Sequence, residues 1–399
     1  MKSFLLFISI VTCINCSNSS NSRNPALFFT VQKIGELPYL QSNQKNKGVA
    51  GAFAGIVHNR LIVAGGCYFP DKKPWEGGSR IYGEKIYAFG IGKDTVTTIP
   101  LSSSLHEPVA YGASVTLPEG ILCIGGNNQN RCTSKVFLIK WDEASSNVFM
   151  EDYPDLPVPI SLATAILLNN YVYVAGGSSF PDGKETNNFF YRLDVSKINR
   201  QSAKWEILPP YPGIPRILSV AAVQSNGVRK CLYLFSGRNV TNPDQPIVMN
   251  DGWMFDPEIQ KWDPVKSDSK EGFPVMAGSA FPDGSNDIVL IGGAPDSTFL
   301  KGQQLSIALG KASSGSSADL IKAELIRFNN NHQGFSTQIR VYNTVNKHIS
   351  SGGRFPELCP VTTCAISFGD GAIVACGEIK PGVRTPDIFK VTKKDSQNQ

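Results

Sequence analysis

Apolar residues in this chain fall in short runs, β-branched and aromatic, each halted by Gly, Pro, Asn or Asp. Runs of that kind read as strands, and long helical periodicity is absent from them. Six share an ending. Leu61-Ile62-Val63-Ala64, Ile121-Leu122-Cys123-Ile124, Tyr171-Val172-Tyr173-Val174-Ala175 and Ile288-Val289-Leu290-Ile291 lead into Gly65-Gly66, Gly125-Gly126, Gly176-Gly177 and Gly292-Gly293. Leu232-Tyr233-Leu234-Phe235 and Ala372-Ile373-Val374-Ala375 lead into Ser236-Gly237 and Cys376-Gly377, where the first Gly has been replaced.

These endings recur at intervals of 60, 51, 60, 56 and 84 residues, close to the roughly 50 of kelch units with extended loops. The pattern predicts an all-β, six-bladed kelch-type β-propeller. Lys140-Trp141, Lys204-Trp205 and Lys261-Trp262 fall where outer strands are expected and predict aromatic packing between blades. Doublets and Trp residues name a fold, not a chemistry. Residues 296–354 exceed the needs of a hairpin and predict an inserted lid or a surface excursion. Within them Ser and Gly crowd 312–317, and 318–328 suits a short helix or a strand equally.

A closed ring has no open sheet edge. Phe28-Phe29-Thr30-Val31-Gln32-Lys33-Ile34 is therefore expected beside Asp387-Ile388-Phe389-Lys390-Val391, with blade six next to blade one. That juxtaposition unites two motifs from opposite ends of the chain. One is Gly377-Glu378-Ile379-Lys380-Pro381-Gly382-Val383-Arg384-Thr385, which sets a carboxylate near a guanidinium across a Pro-Gly turn. The other is Gly48-Val49-Ala50-Gly51-Ala52-Phe53-Ala54-Gly55-Ile56. Taken by themselves, Glu378 and Arg384 are either an acid/base site or a pair that fixes the turn.

With these motifs the chain resembles the N-acetylneuraminate epimerases, kelch-type sialic acid mutarotases, in a cyclically permuted branch. Ala110-Tyr111-Gly112, Pro215-Arg216 and Met276-Ala277-Gly278 resemble family segments in the same cyclic order. The resemblance implies that Glu378 and Arg384 are catalytic and that Arg216, Lys380, Tyr111 and Phe53 bind substrate. It implies interconversion of α and β anomers by ring opening and closure, on a small sugar, with neither cofactor nor metal. Two departures, Val109 for a family Arg and Ser279 for a family His, point to altered sugar specificity. A mutarotase for another sugar, or a propeller that only binds glycan or protein, are the rival readings.

Anomer exchange needs a base for the anomeric hydroxyl and an acid for the ring oxygen, and well-placed proton transfer supplies typically about 10²- to 10⁴-fold. Glu378 is the base. Arg384, beside it, holds a carboxylate in either partner by paired hydrogen bonds. Four histidines form no ligand cluster: His58 reads as a turn residue, and His106 and His332 are the channel candidates.

Net charge, 38 − 33 = +5, is too small and scattered for a nucleic-acid footprint but suits an anionic sugar. Met1-Lys2 and the apolar stretch 4–11 read as a signal peptide or lipoprotein leader over 1–25, with Cys13 or Cys16 as acylation points, leaving 26–395 as the propeller. A periplasmic or secreted protein is expected, with a lipid anchor as a variant. Seven cysteines remain, without zinc spacing; Cys359 and Cys364 are the candidate pair.

Overall fold

The computed structural model describes residues 28–39, 44–181, 183–196, 203–312 and 315–394. The expected leader, with Cys13 and Cys16, lies outside these, as does part of the Ser/Gly stretch. Among the described residues, six antiparallel sheets of four strands form the blades of a propeller. Blade one is Phe53–Val57, Arg60–Ala64, Ile86–Ile91 and Val96–Ile99. Blade six takes Ala365–Phe368, Gly371–Lys380 and Val383–Lys393 from the C-terminus, and its outer strand, Phe29–Glu36, from the N-terminus. The pairing Phe29 with Lys393 through Glu36 with Asp387 closes the ring as expected.

Alternation of side chains along each strand sends apolar groups toward both neighbouring blades, so the core is six seams rather than one centre. Leu61, Val63 and Phe89 meet Ile373 and Ile388 between blades one and six; Phe53 and Ile62 meet Ile121 and Cys123 between blades one and two. Trp141 and Trp262 pack in seams, between blades one and two and blades three and four. Trp262 lies on the outer strand of blade four, but Trp141 lies near the end of the third strand of blade two, Val136–Asp142, rather than on the fourth.

The Gly doublets owe their pattern to backbone geometry. Their first position lies at φ +58° to +69°, including Ser236 at +58° and Cys376 at +60°, a left-handed well that a small side chain tolerates. The second lies at +89° to +121° in all six blades and is always Gly, because a Cβ is forbidden there.

The insertion is narrower than 296–354. Gln338–Asn343 and Ile349–Arg354 are the outer strands of blade five, and what stands outside the sheet is two helices, α1 (Asp296–Lys311) and α2 (Ser316–Asn330), with the segment that follows them. All seven cysteines from Cys67 to Cys376 are free thiols. Cys359 and Cys364 do not pair because Cys359 packs between blades five and six and Cys364 between blades six and one.

Candidate functional site

One residue per blade, at the entry to the innermost strand, is left-handed: Gly51, Tyr111, Leu162, Leu218, Ala277 and Thr362, at φ +53° to +66°. Their main chains form a circle. Tyr111 N–H donates to Gly51 O (2.7 Å), Leu162 to Tyr111 (2.8 Å), Leu218 to Leu162 (3.0 Å), Ala277 to Leu218 (2.9 Å), Thr362 to Ala277 (2.7 Å) and Gly51 back to Thr362 (2.8 Å). Six bonds thus tie the blades together at the axis. On one side of the circle the channel between innermost strands encloses about 520 Å³, lined by small and apolar groups such as Ala54, Val115, Ala165 and Val223. Hydroxyl groups of Ser114, Thr116, Thr164 and Ser367 line it as well, but no charged side chain among the described residues does, so it offers no partner for an anion.

The other side is different in character. The residues that follow the six doublets are Cys67, Asn127, Ser178, Arg238, Ala294 and Glu378. Each is bonded to the residue just before its blade's circle member, as Glu378 is to Val361 and Arg238 to Ile217. One position per blade therefore surrounds the mouth, and five of the six carry a polar or thiol group.

Glu378 sits in the hairpin between the second and third strands of blade six. Arg384 Nη1 (2.6 Å) and Gly382 N–H (2.8 Å) both donate to its Oε1. Oε2 receives no bond among the described residues, and the side chain is 19% exposed. One oxygen is fixed and the other faces open space. The turn is braced in place: a Cβ at Gly382 would strike Pro74 Cδ at 2.8 Å, and Gly377 N–H bonds to Val49 O (2.8 Å). The motifs from the two chain ends are thus in direct contact.

Three guanidinium groups gather here. Arg384 Cζ lies 5.2 Å from the Phe69 ring centre; Arg80 Cζ lies 5.7 Å from Phe69 and 5.5 Å from Tyr111. Arg238 Cζ lies 4.6 Å from the Phe299 ring of α1. The Nε of each is buried without an acceptor among the described residues. Burial pulls Arg238 down to about 10 against the opposing pull of Glu378 and Tyr111, which leaves it a cation at neutral pH. In Arg384 burial also disfavours the charge, but Glu378 and Tyr111 outweigh it and the pKa rises. Burial drives the Tyr111 phenol well above its ordinary value, so its hydroxyl is neutral; the Cys67 thiol, 3.2 Å away, donates to it. Three cations face one carboxylate, and buried N–H groups left unmade cost about 1–3 kcal/mol each. Such a site is built to take an anion.

Cover comes from two loops. Asn330, at the end of α2, accepts from Lys73 Nζ (3.0 Å) and Trp75 Nε1 (3.1 Å) of the blade-one loop. Phe299 and Phe335 of the insertion pack on Met276, Ala277 and Val361, directly over the circle.

Of the expected site residues, Glu378, Arg384 and Tyr111 come together at this mouth, and Lys380 ends the strand that carries Glu378. Arg216 and Phe53 do not join them. Arg216 is wholly buried, with Nη1 and Nη2 on Asp251 (2.5 and 3.0 Å), Nη1 on Ser236 O (3.1 Å) and Nε on Ile214 O (3.0 Å). Its donors are spent on blade four. Phe53 lies in the seam against Phe137, ring centres 5.8 Å apart. Both are engaged in the packing of their blades, and the structure does not bring either to the Glu378 mouth. Arg80 and Arg238 were not foreseen; Arg238 was legible as the blade-four counterpart of Glu378, one position after a doublet. His332, 8% exposed, lies in the cover, whereas His106 is exposed.

A sequence model described as N-acetylneuraminate epimerase matches residues 22–148 and 153–399. The chain belongs to the N-acetylneuraminate epimerase family. It is 28% identical over 250 residues to the N-acetylneuraminate epimerase of Yersinia pestis (strain Pestoides F), covering 61% of this chain and 58% of that protein. With that of Haemophilus influenzae (strain PittEE) it shares 28% identity over 249 residues, covering 62% of this chain and 61% of that protein. The chain thus spans less than two thirds of the length of these curated relatives. The solved "Structure of YjhT" superposes with a TM-score of 0.59 at 13% identity, covering 91% of this chain and 99% of that one. At that identity the likeness speaks for the family's propeller fold alone.

Proposed function

We propose that the protein is a mutarotase that interconverts the α and β anomers of N-acetylneuraminate at the Glu378 mouth. The observation that carries this reading is a carboxylate with one oxygen fixed and the other open, beside three guanidinium groups whose Nε–H donors want an acceptor. Sialic acid bears its carboxylate on the anomeric carbon itself. An anion held by Arg80, Arg238 or Arg384 therefore brings the reacting centre to Glu378. The relatives' names favour the same substrate.

The geometry supports the following chemistry. Glu378 Oε2 takes the proton of the anomeric hydroxyl while the bond from anomeric carbon to ring oxygen breaks, its electron pair passing to that oxygen. Glu378 then returns the proton to the ring oxygen, giving the open-chain ketone. Rotation about the bond to the carbonyl carbon and reversal of the steps on the other face give the second anomer. Arg384 and Gly382 hold Oε1 so that only Oε2 acts, and the neutral Tyr111 hydroxyl donates to substrate oxygens. Proton balance is restored in every turnover, and no cofactor is invoked. Export by the N-terminal leader, with or without a lipid, belongs to the same reading.

One observation favours a related acidic sugar as substrate: Ser279 lines the channel and Val109 packs in the seam between blades one and two, so neither brings a charged group to the site, where the family resemblance leads one to expect His and Arg. Exchange spectroscopy by proton NMR on N-acetylneuraminate, its hydroxylated and deaminated analogues, and neutral aldoses tests the reading. Acceleration confined to the acidic ketoses supports it. Acceleration of neutral sugars alone overturns it.

A further inference from the structure

Glu378 needs help at the ring oxygen, where negative charge develops before the proton arrives. The segment after α2 sets a histidine beside the hairpin that carries Glu378. His332 is 8% exposed, and its ring lies 5.4 Å from that of Phe335. Phe335 packs on Met276, Ala277 and Val361, and Val361 is the residue that exchanges backbone bonds with Glu378. The turn lies against the same hairpin: a Cβ on Gly334 would stand 3.3 Å from Ile379 O, next to Glu378.

The imidazole is held in one orientation. Gly334 N–H donates to Nδ1 at 3.0 Å, so in the neutral ring the proton resides on Nε2. Nε2 has no partner among the described residues, and a cavity of about 340 Å³ beneath the insertion, lined also by Thr298, Glu324 and Arg327, borders the residue. Burial and the charge of Lys380 hold the imidazole toward its neutral form against the pull of Glu378. The result is a fixed N–H donor with nothing to donate to.

We propose that His332 is a catalytic residue of this site, its Nε2–H donating to the substrate's ring oxygen as the bond to the anomeric carbon breaks. The proposal rests on the mutarotase reading. The donor stabilises the developing oxyanion; the proton that finally neutralises it is the one Glu378 has taken, so His332 ends each turnover unchanged. The insertion thereby contributes chemistry as well as cover. Preorganised donors of this kind are worth roughly 10²- to 10³-fold when deleted one at a time.

The two nitrogens can be separated by substitution. His332→Asn keeps an acceptor where Nδ1 sits and can hold the Gly334 turn in the manner of an Asx turn, but has nothing at Nε2. His332→Gln carries an amide N–H toward the Nε2 position and loses the turn acceptor, and His332→Ala has neither. Anomer exchange is measured by NMR for all three and for the unsubstituted protein, with rates referred to the binding-competent fraction from titration calorimetry. Expected are a kcat loss of about 100-fold for Asn and Ala, a KM within about twofold, and a partial recovery with Gln. A His332→Asn rate equal to or above that of His332→Gln would overturn the proposal, because it would assign the residue to holding the turn. An unsubstituted protein that binds the sugar without accelerating exchange would overturn both this role and the mutarotase reading.

Discussion

Val361 and Glu378 exchange two backbone hydrogen bonds, each 2.9 Å, and the residue after Val361 is Thr362, a member of the main-chain circle. The carboxylate is thus one bonded pair away from the most constrained structure in the molecule. Placement of this kind serves catalysis, since about 1 Å of drift costs a rate of order 10²-fold.

The doublet before Glu378 controls that placement. Gly377 has φ +121°, and a Cβ there would stand 2.7 Å from Val361 O, the acceptor for Glu378 N–H. Gly377→Ala is expected to lower the melting temperature by several degrees, from strain of about 1–3 kcal/mol plus the clash, and to depress kcat with it. Cys376→Ser should do far less harm, because Ser already occupies the equivalent site at Ser236 with nearly the same φ. Thermal unfolding and exchange rates of the two variants provide the check.

Arg80 and Arg238 are expected to act on binding rather than fold. Each has a buried Nε without an acceptor among the described residues, and a hydrogen bond to a charged group contributes about 1.5–3 kcal/mol. Replacing either with Met should weaken binding of an acidic sugar by roughly 10- to 100-fold while leaving the melting temperature unchanged or raised, as is common where a site is strained for function. Calorimetric titration beside thermal unfolding reads both.

Arg216 should behave oppositely. Its removal strands the carbonyl of Ile214, takes one of two donors from that of Ser236 and leaves half of an ion pair with Asp251, at a cost of about 2–3 kcal/mol once the partial exposure of Asp251 is allowed for. Arg216→Ala is expected to lose stability with KM unchanged in the folded fraction. A rise in KM at unchanged stability would restore it to the substrate site.

Ring closure carries its own test. Phe29 is 1% exposed and packs edge-on to Phe281 of blade five, ring centres 5.7 Å apart. Phe29→Ala should cost about 3–5 kcal/mol, and removal of the whole Phe29–Glu36 strand should expose the Val383–Lys393 edge to association with other chains. Melting curves and light scattering separate the two effects.

How much was legible before the structure depended on whether a residue's role is local. Doublets fix φ at their own positions, so Gly66, Gly126, Gly177, Gly237, Gly293 and Gly377 revealed six blades and the closure. Glu378 and Arg384 were readable because one hairpin carries both. The bonding of Arg216 was not readable, since Pro215-Arg216 gives no hint that Asp251 waits across the blade. Arg80 reaches the mouth from an irregular loop, and neither periodicity nor spacing marks such a residue. Helix α1 was not read from the sequence, and α2 only as one of two alternatives over 318–328, because most of their faces stay exposed and their apolar spacing is weak.

The most direct test of the central claim follows α-N-acetylneuraminate freshly released by a sialidase, by proton NMR, with the unsubstituted protein and with Glu378→Gln at equal concentration, after calorimetry has shown that both bind the sugar. The account expects the α signal to decay faster with the unsubstituted protein, and the variant to be slower by about 10²-fold or more with binding within a fewfold. Equal acceleration by both proteins would contradict it, because the proton would then be moved by some group other than Glu378.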